Sequence, residues 1–360
     1  MAEPHRLQGT ENNNAKRSPV SVVTPLIVLL QIEERNIMRQ LKLICLLYLV
    51  TILIPLAANA GPPPNAGPPG GNGPPGAPVP PSATVQVDCA AGDSITEALA
   101  TPAIELTIEI DGFCSEDIEV RRDLVTLRGK NEDPGQDGIH GATPAVSLGG
   151  TGIEEIFESV VLVRAGSGVH FADLFIGEGK ANRTGVAISE NAVVTLSNTR
   201  VENNPGFGVG AFAGAVLFIE DSTVTGNGTN AVVAASSGQV FVASSDLSGG
   251  VVSFNNGILR MTGGLLNGVI VSVMSGTVQF SGVSQTGPLI LVNGNSSLRA
   301  LGGSVLDVTL FALVDDFSNF VLREGSTLSS DLLCSSGGDA FCDVPADVSG
   351  VSTCGLCPKP

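Results

Sequence analysis

The sequence predicts an all-β protein. Its body, residues 85–330, reads as a right-handed single-stranded parallel β-helix, a solenoid with a short N-terminal capping helix and a Cys-rich C-terminal tail. Three observations carry this. Segments of one pattern, apolar-x-apolar followed by a few polar residues and another apolar residue, start at Val169, Val194, Leu217, Val240, Leu259, Val278, Leu298 and Phe320, in steps of 25, 23, 23, 19, 19, 20 and 22 residues. A second apolar run falls between the starts: Gly185–Ile188, Gly208–Ala211, Ala231–Ala234, Val269–Val271 and Leu289–Val292. Outside one Gly/Pro tract the composition is rich in Val, Ile, Leu, Ser and Thr, with no Trp and one Tyr, which suits short strands packed on one another.

Taken from the N-terminus, residues 1–37 read as a spurious or unstructured extension, because a three-part export signal starts only at Met38. Met38-Arg39-Gln40-Leu41-Lys42 is its basic start, and Leu43 to Leu56 its apolar run, too short for a comfortable membrane span. Ala58-Asn59-Ala60 is a small-residue cleavage site, so residues 38–60 are expected to leave as a signal peptide. The mature chain is then secreted, periplasmic or displayed on the cell surface, with no membrane span. Residues 61–84 form a Gly/Pro-rich linker that cannot bury a core.

The repeats come next. A period near 20–25 residues means one solenoid turn per repeat, each turn offering an apolar face that only its neighbours can cover. Stacking places Phe171, Leu196, Ile219, Val242, Met261, Phe280, Ala300 and Leu322 in one interior row. Asn203-Asn204, Gly226-Asn227, Asn255-Asn256 and Asn293-Gly294 supply the turns, because Asn tolerates left-handed backbone and stacks in ladders. Both ends of a stack need covering. Ser94-Ile95-Thr96-Glu97 reads as a capping box opening a helix with Ile95, Ala98 and Leu99 on one face. At the other end lies the tail, residues 331–360.

Cys45 leaves with the signal. The remaining six, Cys89, Cys114, Cys334, Cys342, Cys354 and Cys357, form an even set in an exported chain and predict disulfides. Their clustering predicts Cys89–Cys114 and two bridges within the tail. Cys354-Gly-Leu-Cys357 has the spacing of a redox or zinc motif, but without a nearby His or a βαβ pattern it reads as structural.

The formal charge is −17, and residues 61–360 hold 12 basic and 31 acidic residues. Such a surface excludes nucleic acid and disfavours anionic membranes. Divalent cations, cationic partners and neutral glycans remain as partners.

The run Val194-Thr195-Leu196-Ser197-Asn198-Thr199-Arg200-Val201-Glu202-Asn203-Asn204, followed by Gly208-Val209, resembles the repeats of the pectin lyase-like β-helix superfamily. Asp88-Cys89-Ala90-Ala91-Gly92-Asp93-Ser94-Ile95 with Gly112-Phe113-Cys114 is similar to the cap of exported bacterial β-helix repeat proteins. The resemblance implies the fold over roughly residues 85–330 but not an activity, since the fold hosts lyases, hydrolases, epimerases and adhesins. Pectate lyases of the superfamily hold Ca²⁺ on clustered carboxylates and use Arg or Lys as base.

On that basis Arg200, Glu220, Asp221 and Asp246 are the candidate catalytic residues. Arg200, Thr223 and Asp246 share the seventh place of their segments, and carboxylates there can hold a cation or a sugar hydroxyl. Asn131, Asp133 and Asp137 are the candidate Ca²⁺ ligands, in a loop with oxygen-bearing residues at alternating places. Its twelfth place is Ala142, where such loops carry Glu. Asp315-Asp316 is the Asp pair of the coils, without the basic partners a polygalacturonase needs. His140 and His170 read as isolated. With no marked catalytic group, the expectation is a noncatalytic exported module that presents a long acidic, Ser/Thr/Asn-rich face to a polysaccharide or cell-surface partner. The alternatives are a divergent polysaccharide lyase or glycoside hydrolase, and a purely structural cell-surface protein.

Overall fold

The computed structural model describes residues 80–142, 158–179, 183–228, 230–335, 338–342, 347–349 and 352–354. The chain divides into units Met1–Asn65 and Ala66–Pro360, and every described residue belongs to the second. The expected N-terminal extension, the signal peptide with its cleavage site, most of the linker and Cys357 lie outside the described residues.

The fold is a parallel β-solenoid. Each regular turn contributes strands to three stacked ladders, and every strand pairing is parallel between consecutive turns. Face 1 is a sheet of 12 strands that starts at Ser82–Asp88 and Glu105–Asp111 and ends at Asp339–Cys342. Face 2 stacks three-residue strands such as Arg200–Glu202, Thr223–Thr225 and Asp246–Ser248. Face 3 stacks strands such as Thr184–Ser189, Val209–Ala211 and Asn230–Ala235. In the last turns faces 2 and 3 merge into single long strands, Ser284–Asn293, Val305–Val314 and Thr327–Cys334. The apolar residue read between the two runs of each repeat, for example Val201 or Val224, is the inward centre of a face 2 strand.

The expected interior row forms residue by residue. Phe171 pairs with Leu196, Leu196 with Ile219, Ile219 with Val242 and Val242 with Met261. Met261 continues to Phe280, Ala300 and Leu322. All are at most 3% exposed. Burying such side chains supplies about 1.5–3 kcal/mol each, which is why the register holds while turn length drifts.

The corners are built from left-handed residues. From face 1 to face 2, Asp173, Asn198, Asp221, Ser244, Gly263 and Gly282 stack with φ between 44° and 65°. From face 3 back to face 1 the described turns from Glu190 to Phe317 use two in succession, such as Glu190-Asn191, Asn255-Asn256 and Met274-Ser275. All four predicted turn pairs supply a left-handed residue: Asn255, Asn256 and Gly294 at the corners into face 1, and Asn203 and Gly226 after face 2. Their neighbours form the ladder instead: Asn204 donates from its backbone N and Nδ2 to Asn227 Oδ1, at 3.1 and 3.0 Å.

The helix Ile95–Leu99 is present, with Ile95 and Ala98 buried and Ser94 Oγ accepting from the Glu97 N–H. Glu116, rather than Glu97, receives the remaining donors: Ile95 N at 2.7 Å, Thr96 N at 3.2 Å and Ser94 Oγ at 3.0 Å. A carboxylate on the next turn thus ties the helix to the stack. Cys89–Cys114 forms as expected. In the tail Cys334 bonds Cys354, so the Cys354/Cys357 pair is not joined within its motif. The tail also carries strands: Asp339–Cys342 pairs with Asn319–Leu322, and Asp347–Val348 with Thr327–Cys334. The stack therefore runs past residue 330, and it opens at Ser82, inside the expected linker.

Candidate functional site

Arg200, Thr223 and Asp246 stand in register on the outer side of face 2. Glu220 ends the face 1 strand Val216–Glu220, and Asp221 is the left-handed corner residue beside it. Among the described residues, none of Arg200, Glu220, Asp221 and Asp246 bonds another of the four. Arg200 is held by Glu202, Nε and Nη2 donating at 2.9–3.0 Å. Asp246 Oδ1 accepts from the Leu265 N–H at 3.3 Å.

The loop Asn131 to Asp137 reaches this column. Asn198 Nδ2 donates to the Glu132 carbonyl at 3.0 Å, and a Cβ added at Gly135 would meet Arg200 Nη1 at 3.2 Å. Asp137 Oδ1 accepts from Gly112 N at 2.7 Å, and its Oδ2 accepts from the backbone and side-chain N–H groups of Asn131. Asp133 accepts from Gly135 N and Gln136 Nε2. The Gly135 N–H, then Gln136, then the Arg200 charge hold its carboxyl below the ordinary aspartate range. The bonds of both carboxylates to these N–H donors shape the loop. Among the described residues no three His, Cys, Asp or Glu side chains gather around a common point.

His140 is not isolated. It stacks on Phe113 with ring centroids 4.5 Å apart, meets Phe175 edge-on at 5.4 Å, and places Nδ1 3.5 Å from Glu178 Oε2. Gly138 lies between Phe113 and Phe175 in the ladder. A Cβ there would strike the Phe175 carbonyl at 2.3 Å, so only glycine lets the turns close over it. The aromatic cluster continues along face 2 into the Arg200–Glu202 pair. The insertion between Leu127 and Phe171 hides this alignment in the sequence. His170, on face 1, contacts Ser197 Oγ at 2.7 Å. Asp315 is 6% exposed and accepts from Asp316 N and Ser335 Oγ.

Face 1 carries a second outward column that sequence reading passed over: Thr195, Phe218, Phe241, Arg260, Gln279, Arg299, Val321 and Phe341 are successive partners. The Phe218 and Phe241 rings stack at 5.2 Å and 18°, and Arg260 lies over Phe241 at 5.8 Å. Arg323 lies over Phe341 at 5.1 Å. Among the described residues Arg121, Arg128, Lys130, Arg164, Arg183 and Arg200 are ion-paired. Arg260 and Arg299 are exposed and carry no ion pair. The signal was available: these residues occupy the second place of each repeat, opposite in phase to the core row. A shallow cavity of about 280 Å³ lies beside Leu99, Glu119, Arg121 and Arg122, and Arg122 on its wall donates to the Leu99 and Thr101 carbonyls.

The fold and these faces define an all-β parallel β-solenoid, closed by two disulfides of a kind that fits an extracellular protein. No described helix is long and apolar enough to cross a membrane. No family model matches the chain, and no curated protein matches it. Among solved structures, the crystal structure of Escherichia coli YbhC aligns with a TM-score of 0.27 and 14% identity, over 81% of this chain and 77% of that one.

Proposed function

We propose that this is an exported, noncatalytic β-helix of the pectin lyase-like kind that binds an extended glycan or cell-surface polymer along face 1. The observation that supports the reading is the Phe218–Phe241–Arg260–Gln279–Arg299 column. Phenyl faces stack against the CH faces of sugar rings, and unpaired guanidinium groups recognise carboxylate or sulfate groups in bidentate fashion. The spacing of about 4.8 Å between turns offers such groups at regular intervals along one line. The net charge of the chain had pointed away from acidic ligands, but residues 247–306 contain no Asp or Glu, and the charged side chains of these turns are Arg260 and Arg299.

Binding of the purified protein to arrayed neutral, uronate and sulfated glycans tests this. The double variant Phe241→Ala/Arg260→Ala is expected to lose at least ten-fold in affinity, and Arg200→Ala to bind as the parent does. Equal binding by the double variant sinks the reading. A polysaccharide lyase or hydrolase is the second reading, favoured by the His140–Glu178 and Arg200–Glu202 pairs on adjoining turns of face 2. It requires turnover of a polysaccharide, with or without Ca²⁺, that disappears in His140→Ala and Arg200→Ala.

A further inference from the structure

Taking face 1 as the binding surface proposed for this chain, we infer that its ligand is an acidic polysaccharide whose anionic groups recur on the protein-facing side at every second sugar ring. The starting observation is a spacing. In the central outward column, Arg260 and Arg299 pair with the same residue, Gln279, from opposite sides. The two arginines therefore stand two turns apart, about 10 Å, with an uncharged amide between them. Both are exposed, while Gln279 is half-buried.

Repulsion between like charges directly opposite in a ladder would by itself keep the arginines off adjacent turns. It does not account for the missing counter-charges. At the N-terminal end of the same face each base meets a carboxylate of the neighbouring turn, Arg128 with Glu109 and Lys130 with Asp111. Around Arg260 and Arg299 the face 1 strands carry no carboxylate. Acidic side chains return on the described face 1 strands only at Glu220, beside Phe218, and at Asp339, beside Phe341. The positions flanking the column include Thr262, Thr277, Ser281 and Ser297, all short hydroxyl-bearing residues. Ser297 Oγ donates to Thr277 Oγ1 at 3.4 Å. Two free guanidinium groups thus rise from an uncharged, hydrogen-bonding strip.

A 1,4-linked pyranose ring in a two-fold ribbon advances a polysaccharide by about one solenoid turn, and successive rings turn over. One ring then lies over each turn, and a substituent facing the protein recurs at every second ring, in step with the arginines. Each guanidinium takes a carboxylate or sulfate through paired N–H donors. The ring between them meets the Gln279 amide, which pairs with hydroxyl or acetamido groups and gives an anion no counter-charge. An anion over Phe218 would meet Glu220. The rings held are therefore those over Phe241, Arg260, Gln279 and Arg299, which are neutral, anionic, neutral and anionic in turn. A chain with a three-fold twist carries its carboxylates around its axis and cannot present them to both arginines.

Calorimetric titration of the purified chain with oligosaccharides of equal length is the test. The probes are glucuronate alternating with N-acetylglucosamine, the neutral oligomer of N-acetylglucosamine, and α-1,4-linked galacturonate. The alternating probe should bind about ten-fold tighter than either of the others, and Arg299→Gln should erase that margin. Gln279→Arg/Arg299→Gln keeps the charge but sets the arginines on adjacent turns, and it should lose the margin as well. All these side chains point outward, and an unchanged melting curve shows that each variant is folded. If the exchanged variant binds the alternating probe as the parent does, or galacturonate binds equally well, the ligand assignment is overturned. Binding that Phe241→Ala/Arg260→Ala abolishes but the exchange leaves intact overturns the spacing and keeps face 1 as the binding surface. A parent chain that binds none of the probes or arrayed glycans overturns both.

Discussion

Ser222 shows how a polar residue comes to be needed inside the stack. It follows the left-handed Asp221, is 4% exposed, and its Oγ accepts the Thr199 N–H at 3.0 Å while donating to the Glu220 carbonyl at 2.7 Å. Ser245 repeats the arrangement one turn on, accepting from Ser222 N. Only a short hydroxyl can accept and donate in that space. Ser222→Ala leaves a buried N–H unpaired and should cost about 1–3 kcal/mol, read as a lowered midpoint in denaturant without a change in slope. Asp133 provides a second residue-scale expectation. Its folded-state pKa is depressed, so the loop contacts it makes are in place above the ordinary aspartate pKa and are lost as pH falls through the lower folded value. Gln136→Ala should raise the Asp133 midpoint in an NMR titration, and Arg200→Ala should raise it by less; a drop in either variant contradicts the assigned causes.

Elements in this fold are short, and covalent ties at the ends matter accordingly. Cys89–Cys114 links the end of the first face 1 strand to Phe113–Ser115 across 25 residues. Replacing both with Ser should lower stability by about 2–4 kcal/mol, with faster amide exchange concentrated around Ile95–Leu99. With Cys334 bonded to Cys354, two bridges in the tail require Cys342 and Cys357 to pair. Peptide mapping of unreduced protein should recover a Cys342–Cys357 peptide, and free thiol at either position would contradict it.

The whole molecule is quasi-one-dimensional, each turn touching only its neighbours. Phe280 fills the interior between Met261 and the small Ala300. Phe280→Ala should cost about 3–5 kcal/mol. Hydrogen exchange should locate the loss in the turns of Met261, Phe280 and Ala300 while the turns around Phe171 stay protected. Uniform loss along the chain would mean the stack unfolds as one unit.

The core row was legible in the sequence because a side-chain period of two and a turn of 19–25 residues leave each row residue one partner on either side. The register then follows from apolar matching alone. The Cys89–Cys114 bridge was legible because only those two cysteines lie near the first turns. The outward columns were not. Whether Phe241 and Arg260 form a ladder, or His140 meets Glu178, depends on corner lengths and on insertions such as the one between His140 and Ser159, which no single repeat reveals. Likewise Arg200 stands on face 2 and Glu220 on face 1 of the next turn, on opposite sides of the corner at which the left-handed Asn198 and Asp221 stack. The sequence by itself determined a stacked coil and its inward residues, since burial selects them one at a time. The tertiary structure decided which outward residues stand together, since that depends on the rotation of the chain at every corner.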